Sequence, residues 1–222
     1  RYISVTGVQT CALPISVIIP AHNERLTIGE VVAGVSPYGI PIVVDDASTD
    51  GTGEAARKQG AAVVTLRSNA GYDGALNAGF RRAHELGVHY AVTFDADGQH
   101  RADQIPAFLQ QLVKGADVVF GIRPRPARIG ERLFGWYARA RFGVSDPLCG
   151  MKGYRMTVYS ARGHFDSYES IGTELALFSV RKGLPFAQVR IPIEERTDTP
   201  RFGRLLRANW RLLRALILSF RA

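Results

Sequence analysis

Short apolar runs alternate with amphipathic segments along the first 121 residues of the chain. Five runs rich in Val and Ile have the length of β-strands and are continuously apolar, which predicts strands buried on both faces of a sheet. They are residues 16–20, 41–46, 61–66, 89–95 and 116–121. The segments between them have helical spacing, and several end in Gly, where a helix stop is expected. The pattern predicts an α/β fold with a mostly parallel sheet covered by helices on both faces.

The pattern changes after residue 121. An Arg-rich segment with interleaved aromatic residues covers 123–142, and a turn-rich stretch covers 146–155. A helix near 173–182, a strand within 186–193 and a final basic helix are predicted beyond them. No repeat or low-complexity linker separates these parts, so we predict one domain over 16–203.

Residues 204–222 are predicted to form a basic amphipathic C-terminal helix. Arginines lie on one side and apolar residues on the other, as in helices that lie on a membrane surface. The arginines are Arg204, Arg207, Arg211 and Arg214, and the apolar residues are Leu206, Leu213, Ile217 and Phe220, with Trp210 at the boundary. This pattern favours an anionic membrane surface as a partner, and packing on the protein's own sheet is the alternative. For the segment 128–142, the alternatives are a second membrane-facing or acceptor-facing element and ordinary core.

Residues 1–15 differ in character from the rest of the chain. Their reverse translation resembles a sequencing-library adapter, which predicts a non-native leader over 1–15. A genuine but irregular leader is the alternative. A secretory signal is disfavoured because the stretch has no continuous apolar region.

The amino-acid composition is that of a globular protein without membrane-spanning segments or a disulfide framework. With 46% hydrophobic and 22% charged residues, the 222-residue chain has the composition of a globular protein. No apolar run reaches the roughly 18 residues of a membrane-spanning helix. Cys11 and Cys149 cannot form a disulfide framework, which favours a reducing compartment.

The net charge of +8 is unevenly distributed. Residues 1–120 carry nine Lys/Arg and twelve Asp/Glu, a net charge of −3, whereas residues 121–222 carry nineteen and eight, a net charge of +11. A basic half suggests a nucleic acid, a membrane surface or a phosphorylated ligand, and composition does not choose among them.

Polar side chains follow each of the five predicted strands. They are Pro20, His22, Asn23 and Glu24 after the first, Asp45 and Asp46 after the second, Arg67 and Asn69 after the third, Asp95 and Asp97 after the fourth, and Arg123 after the fifth. Ligands of parallel α/β sheets bind beyond the carboxyl ends of the strands. The five strand ends are therefore expected to form one site.

The densest of these strand ends is the segment Asp95-Ala96-Asp97-Gly98-Gln99-His100. Two carboxylates and an amide oxygen within five residues suit Mg²⁺ or Mn²⁺, which commonly use one or two carboxylates together with ligand phosphate oxygens. We predict Asp95, Asp97 and Gln99 as metal ligands. An EF-hand is excluded because Pro106 stands where its bidentate Glu would be. A turn with capping carboxylates remains the alternative.

A second glycine-containing segment, residues 51–56, matches the G-x-G-x-x-A pattern of a dinucleotide-binding turn. Asp46 and Asp50 lie between the preceding strand and the first glycine, and their carboxylates would repel a pyrophosphate. We therefore interpret the glycines as a turn before a helix. Asp45 and Asp46 suit a base or a ribose as hydrogen-bond acceptors.

Five motifs, in this order and spacing, resemble glycosyltransferase family 2, and most closely its polyprenyl-phosphate mannosyl- and glucosyltransferase branch. They are VIIPAHNE, VVDDASTDGT, NAGYDGALNAGF, TFDADGQH and DPLCGMKGYR, and the resemblance covers residues 16–203. It implies the GT-A fold, a nucleotide-sugar donor of the GDP-mannose or UDP-glucose type, Mg²⁺ or Mn²⁺, and transfer with inversion.

The resemblance also assigns roles to residues. The donor-binding candidates are Pro20, Ala21, His22, Glu24, Asp45, Asp46, Arg67 and Asn69; the catalytic candidates are Asp95, Asp97 and Arg123; and the phosphate and acceptor candidates are Arg123, Arg196 and Arg201. The chain departs from the family at two places. His22 stands where an aromatic residue is common, and Pro200, just before Arg201, stands where the family commonly has a serine. The Q-x-x-R-W signature of processive synthases is absent, which favours transfer of a single sugar.

The function that we predict is transfer of one hexose to a polyprenyl phosphate at the cytoplasmic face of the membrane. The acceptor oxygen is anionic near neutral pH, since a phosphate monoester has a second pKa of about 6, and no general base is required. A soluble enzyme acting on a sugar or protein hydroxyl is the alternative, with Glu174 as the base. An Arg-rich nucleic-acid-binding module is a second alternative, disfavoured because acidic strand ends repel a phosphate backbone. A membrane-protein partner is a further expectation.

Overall fold

The computed structural model describes residues 14–124, 129–192 and 214, and these form one α/β sheet with helices on both faces. The strands are β1 Ile15–Ala21, β2 Ile40–Asp45, β3 Ala62–Thr65, β4 Tyr90–Thr93, β5 Val118–Ile122, β6 Lys152–Arg155 and β7 Phe186–Arg190. The helices are α1 Ile28–Val35, α2 Thr52–Lys58, α3 Gly71–Glu85, α4 Ile105–Val113, α5 Ile129–Phe142, α6 Met156–Arg162 and α7 Glu174–Arg181, with a 3₁₀ turn at Ala102–Gln104.

The sheet has the order β3-β2-β1-β4-β6-β5-β7. All neighbouring pairs are parallel except those that involve β6, which runs antiparallel to both β4 and β5. The five strands predicted before residue 121 are present, with ends that differ by at most two residues. The prediction of a mostly parallel sheet is confirmed, and so is that of β7.

The prediction of a turn-rich stretch over 146–155 was wrong for its second half. Residues 152–155 form β6, which inserts between β4 and β5 in the middle of the sheet, and α6 follows directly. The strand sequence is Lys-Gly-Tyr-Arg, so it lacks the apolar alternation that identifies a strand. Its place is set by tertiary contacts: Tyr154 is fully buried and Gly153 lies against Leu112 and Phe108.

Strand residues alternate between two hydrophobic layers, one on each face of the sheet. In β1, Val17 and Ile19 pack in one layer with α1 and α4, while Ile18 packs in the other with α3 and α7. Burial on both faces explains why the strands read as continuous apolar runs. The described residues contain no helix that is long and apolar enough to cross a membrane.

The sheet begins slightly earlier than the sequence predicts. Ile15 pairs with Tyr90 as the first residue of β1, and the carbonyl oxygen of Pro14 accepts a hydrogen bond of 2.8 Å from the His89 N–H. Residues 14 and 15 therefore belong with the domain and not with the segment before it. Residues 1–13 lie outside the described residues, and a non-native leader there stays a prediction.

A chain that starts at Pro14 is expected to melt within a degree or two of the full chain. A chain that starts at Val17 loses the first pairs of β1 with β2 and β4, and we expect its melting temperature to fall by about 5 °C or more, since 1 kcal/mol corresponds to several degrees in a domain of this size. Thermal unfolding followed by circular dichroism makes the comparison. A large loss for the chain that starts at Pro14 would show that the preceding residues are structural.

Candidate functional site

The parallel strands β1, β2 and β3 end side by side, because Ala21 pairs with Asp45 and Asp45 pairs with Thr65. β4 joins them through the pair Ile18 and Thr93, and the Phe94 N–H continues the ladder to the Ile18 carbonyl at 2.9 Å. We call this side of the sheet, where β1 to β5 end, the carboxyl edge. The predicted site residues that the structure describes all lie on it.

Two neighbouring carboxylates at the end of β2 are held by backbone groups. Both oxygens of Asp46 accept hydrogen bonds at the start of α3, from the N–H of Ala70 at 2.6 Å and of Gly71 at 2.9 Å. Asp45 accepts one from the Ser48 N–H at 3.0 Å. The side chains are buried, with 6% of Asp45 and 4% of Asp46 exposed. Backbone N–H groups of the neighbouring loops therefore hold these carboxylate oxygens in place.

His22 joins the ends of β1, β2 and β3. Its Nδ1 lies 2.7 Å from the carbonyl oxygen of Asp46, to which it donates, and its Nε2 lies 3.2 Å from the Asn23 amide nitrogen. The side-chain amide of Asn69 lies 3.3 Å from the same Nδ1. The structure therefore brings together His22, Asp46 and Asn69, and their role in binding a nucleoside stays a prediction.

The remaining donor-binding candidates lie at the end of β1 and on the loops that follow β1 and β3. Pro20 and Ala21 are the last residues of β1. The Glu24 N–H donates to Thr52 Oγ1 at 2.8 Å, and the Glu24 carbonyl accepts hydrogen bonds from the first residues of α1. Arg67 is exposed on the loop after β3. Of this group, Glu24 connects the loops that follow β1 and β2.

The glycine turn at 51–56 is closed by a carboxylate. Asp50 accepts hydrogen bonds from the N–H of Thr52 at 3.0 Å and from its hydroxyl at 2.5 Å. A Cβ on Gly53 would lie 2.4 Å from an oxygen of Asp45, so the glycine allows α2 to approach that carboxylate. The turn is filled by the protein's own acidic groups, which supports its interpretation as a helix start rather than a pyrophosphate site.

Asp95, just after β4, has a partner for each carboxylate oxygen. The Tyr72 hydroxyl donates to Oδ1 at 3.2 Å, and His100 Nε2 lies 3.0 Å from Oδ2. Burial alone would raise the pKa of Asp95, but the hydrogen bonds from His100 and Tyr72 and the charge of Lys152 hold that pKa below its usual value. Asp95 is therefore ionised and oriented.

Gly150 forms the surface against which Asp95 packs. A Cβ at this position would lie 2.1 Å from Oδ2 of Asp95 and 2.6 Å from Oδ1. The Gly150 carbonyl accepts a hydrogen bond of 2.6 Å from Thr93 Oγ1, which ties the segment to β4. The absence of a side chain at Gly150 is thus what gives the Asp95 carboxylate its position.

Asp97 and Gln99 lie on the loop after Asp95, and the Gln99 N–H donates to Oδ1 of Asp97 at 3.1 Å. Within the described part of the chain, no group of three or more His, Cys, Asp or Glu side chains is arranged to hold a metal ion. The donor set here is two carboxylates and an amide oxygen, which fits Mg²⁺ or Mn²⁺ when substrate phosphates complete the coordination. The residues therefore fit a metal that binds together with a diphosphate.

Arg123, at the end of β5, is engaged by two carboxylates. Its Nε donates to Oδ2 of Asp146 at 2.8 Å and one terminal nitrogen donates to Oδ1 at 3.0 Å. Glu131, in the first turn of α5, lies 3.3 Å from the same guanidinium. Burial alone would lower the pKa of Arg123, but the bonds to Asp146 raise it further above its usual range. The predicted phosphate contact would have to replace one of these partners.

Two residues in the first turn of α3 make contacts that the sequence analysis did not predict, although both residues belong to one of the five motifs. Tyr72 binds Asp95, and the next residue, Asp73, accepts hydrogen bonds from the N–H groups of Ile171 and Gly172 at 3.2 and 2.5 Å. Burial and the charge of Asp166 raise the pKa of Asp73 to about 6. This turn therefore joins Asp95 to the loop before α7. Both residues belong to the motif NAGYDGALNAGF, but they lie in α3, seven and eight residues after the end of β3, so the spacing of strand ends does not identify them.

Lys152 is a further residue that sequence reasoning missed. It lies in β6 with 2% of its surface exposed, and its ammonium donates to the Cys149 carbonyl at 2.5 Å. Burial lowers its pKa, while the charges of nearby acids, including Asp146 and Asp95, oppose that effect. It is placed to balance the acidic groups at the carboxyl edge.

Glu174, the candidate base for a hydroxyl acceptor, is enclosed by partners. It forms an ion pair with Arg162, and both its oxygens accept hydrogen bonds from Ser167, including one of 2.6 Å from the backbone N–H. Burial alone would raise its pKa, but these bonds lower it. A carboxylate with a lowered pKa and occupied oxygens is a poor proton acceptor.

The candidates Arg196 and Arg201 lie outside the described residues, as does the C-terminal helix except for Arg214. Arg214 is exposed and donates to Oε2 of Glu169 at 2.8 Å. One arginine of the predicted membrane-facing side thus contacts the protein's own surface. An exposed pair of this kind contributes little stability.

The sequence of the chain is similar to those of known proteins. A family model described as glycosyl transferase family 2 matches residues 16–161. The chain is 33% identical over 204 residues to an undecaprenyl-phosphate mannosyltransferase of Micrococcus luteus, covering 81% of this chain and 83% of that protein. It is 30% identical over 195 residues to a dolichyl-phosphate hexose transferase of Haloferax volcanii, covering 82% and 83%.

The fold is shared with solved structures. Glucosyl-3-phosphoglycerate synthase of Mycobacterium tuberculosis, in complex with Mn²⁺, uridine diphosphate and phosphoglyceric acid, superimposes with a TM-score of 0.75 and 22% sequence identity. The match covers 93% of this chain and 78% of that one. At this identity the likeness establishes the fold, and the GT-A architecture predicted from the motifs is confirmed.

Proposed function

Because the chain belongs to glycosyltransferase family 2, we propose that it transfers one hexose from a nucleotide sugar to a polyprenyl phosphate, with inversion. The observation that carries the proposal is the carboxyl edge itself, where a nucleoside-type set of groups lies beside the Asp95–Asp97 segment. The names of the two relatives support a lipid-phosphate acceptor. GDP-mannose and UDP-glucose are the donor types that we propose.

Donor binding follows from the fixed acceptors at the ends of β1 and β2. His22 and Asn69 present ring and amide groups to the nucleoside, while Asp45 and Asp46 are held by backbone N–H groups and keep these loops in position. Departure of the nucleoside diphosphate places negative charge on its phosphate oxygens. Arg123, just after β5, is the guanidinium that we propose to meet this charge. Glu131, at 3.3 Å, is the partner that a phosphate oxygen would replace.

Mg²⁺ or Mn²⁺ would be held by Asp97 with Asp95 and Gln99, and when bound it would neutralise the diphosphate as a leaving group. Asp95 contributes an ionised carboxylate whose orientation is set by Tyr72, His100 and Gly150. The glucosyl-3-phosphoglycerate synthase that shares this fold has been crystallised with Mn²⁺ or Mg²⁺ and uridine diphosphate, which supports this part of the proposal.

A phosphate acceptor removes the need for a general base. Its oxygen is already anionic near neutral pH. In the alternative, a hydroxyl acceptor, Glu174 would have to take a proton, and its bonds to Arg162 and Ser167 oppose that role. The nucleic-acid alternative gains no support from an edge that carries Asp45, Asp46, Asp95 and Asp97. We place the protein at the cytoplasmic face of an anionic membrane, with a membrane protein as a further partner.

The test is transfer of radiolabelled hexose from GDP-mannose and UDP-glucose to a polyprenyl phosphate and, in parallel, to free sugars and a hydroxyl-bearing peptide. We expect a lipid-linked product that is labile to mild acid and has inverted anomeric configuration. Product on a hydroxyl acceptor alone, or transfer that persists in excess chelator, would contradict the acceptor or the metal, respectively.

Glu174→Gln separates the two acceptor classes. We expect transfer to polyprenyl phosphate to stay within a few-fold of the parent, whereas loss of a true general base costs about 10²–10⁴-fold. The variant should be less stable by up to about 3 kcal/mol, because breaking a buried ion pair leaves Arg162 uncompensated. Assays therefore run below its melting temperature. Glu169→Gln, which changes an exposed carboxylate in the loop before α7, is the matched control and should alter neither property.

A further inference from the structure

The outer side of α5 exposes two large apolar side chains one helical turn apart. Leu133 is 61% exposed and Trp136 is 73% exposed, while Phe134 and Ala138 of the same helix are buried in the layer shared with α3 and α7. The helix is thus anchored by one side and presents an indole and an isobutyl group on the other. The exposed Trp is the costliest of these to leave in water, because aromatic side chains carry the largest apolar surface.

Exposed arginines flank this apolar pair. Arg132 and Arg139 lie at helical spacing from Trp136, four residues before it and three after it, and both are exposed. The acidic residue of this helix, Glu131, lies next to the guanidinium of Arg123. We call Arg132, Leu133, Trp136 and Arg139 the α5 outer face. It combines a basic flank with an apolar centre, the pattern of an interfacial helix.

The α5 outer face is close to the carboxyl edge. Glu131 contacts Arg123 at the end of β5, so the first turn of α5 is tied to that edge. Trp136 follows Glu131 by five residues, which is about 7.5 Å along a helix axis at 1.5 Å per residue. A surface that touches Trp136 is therefore within about two helical turns of the groups proposed to meet phosphate.

We propose that the α5 outer face docks this protein on an anionic lipid bilayer, with Trp136 and Leu133 inserted among the headgroups and Arg132 and Arg139 paired with lipid phosphates. The proposal rests on the proposed function, since docking here brings a lipid-linked phosphate to the carboxyl edge. A bilayer fits better than a protein partner. Two apolar side chains fall far short of the roughly 800 Å² per partner that a stable protein interface buries, whereas Trp and Arg are suited to the membrane interface.

Fluorescence of Trp136 tests insertion directly. The chain has two tryptophans, so Trp210→Phe in the full chain leaves Trp136 as the single emitter. With vesicles of phosphatidylcholine and phosphatidylglycerol we expect a blue shift and quenching by brominated acyl chains, and with phosphatidylcholine alone we expect neither. Emission that stays unshifted and unquenched on bound protein would place docking elsewhere and overturn the proposal.

Vesicle co-sedimentation of the otherwise unaltered chain gives a second, independent measurement. Leu133→Gln with Trp136→Gln should weaken partitioning by at least about tenfold, because two inserted apolar groups are lost. Val113→Gln is the matched control, because Val113 is 52% exposed but lies at the end of α4, away from the carboxyl edge.

The arginines are tested in the same way. Arg132→Gln with Arg139→Gln should weaken partitioning roughly fivefold per arginine at low salt and less at high salt. Equal sedimentation of the parent and the Leu133/Trp136 variant would overturn the proposal, and thermal unfolding confirms that each variant is folded.

Transfer assays separate this proposal from the proposed function. With a short, water-soluble polyprenyl phosphate, the Leu133/Trp136 variant should match the parent, and with the acceptor embedded in anionic vesicles it should be slower by at least about tenfold. Equal rates on the embedded acceptor would overturn the docking proposal. If the parent transfers to neither acceptor while Trp136 is still quenched in anionic vesicles, the proposed function fails and the docking surface stands.

Discussion

Replacing Asp97 by Asn is expected to lower turnover of the nucleotide sugar by about a thousandfold, because a metal ligand contributes several kcal/mol of charge stabilisation and each 1.4 kcal/mol is tenfold. The substitution is isosteric, and an Asn Oδ1 can still accept the hydrogen bond from the Gln99 N–H. The fold should therefore be retained. The loss is expected in kcat and in the affinity for Mn²⁺, with a smaller change in the binding of the nucleoside.

Steady-state transfer across a Mn²⁺ titration, together with thermal shifts by Mn²⁺ and uridine or guanosine diphosphate, makes this measurement. Asp103→Asn is the matched control, since Asp103 is an exposed carboxylate a few residues along the chain that pairs with Arg101. It should behave like the parent. If Asp97→Asn keeps full activity, or if the parent works in excess chelator, the metal is not held at this segment.

The sequence predicted the sheet well because of where its strands lie. Val17, Ile18 and Ile19 are all buried, two facing one layer and one the other, so β1 reads as an unbroken apolar run. The same holds for β2 and β5. Strand β6 lacked this signature, since Lys152 and Gly153 occupy a buried central strand. A buried lysine there is tolerated because its ammonium has a carbonyl partner and acidic neighbours, and these contacts form only in the folded chain.

The site was predicted as a set of strand ends but not as a set of contacts. Polar residues after parallel strands meet at one edge, so Asp46, Asn69 and His22 could be grouped from spacing alone. What holds each group in place comes from distant segments. Asp95 is oriented by Tyr72, 23 residues away, and Arg123 by Asp146, also 23 residues away. No local pattern in the sequence reports such pairs.

Replacing Gly150 by Ala is expected to impair catalysis by displacing the Asp95 carboxylate, against which Gly150 packs. The added Cβ would lie 2.1 Å from Oδ2 of Asp95, which is a steric clash for two non-bonded atoms. The carboxylate or the backbone must therefore move. Movement of the carboxylate breaks its contacts with Tyr72 and His100. A displacement of about 1 Å in a catalytic group costs on the order of 100-fold in rate, and overpacking costs about 1–3 kcal/mol in stability.

Gly34→Ala is the matched control, because the same methyl group there meets the nearest atom at 3.5 Å within α1, and it should be neutral or slightly stabilising. A double-mutant cycle with Asp95→Ala isolates the cause. In the Asp95→Ala background the methyl group added at position 150 has no carboxylate to displace, so its effect on kcat should vanish and its cost in melting temperature should shrink. If Gly150→Ala instead lowers kcat equally in both backgrounds, the glycine acts through the backbone that leads into β6 and not through Asp95.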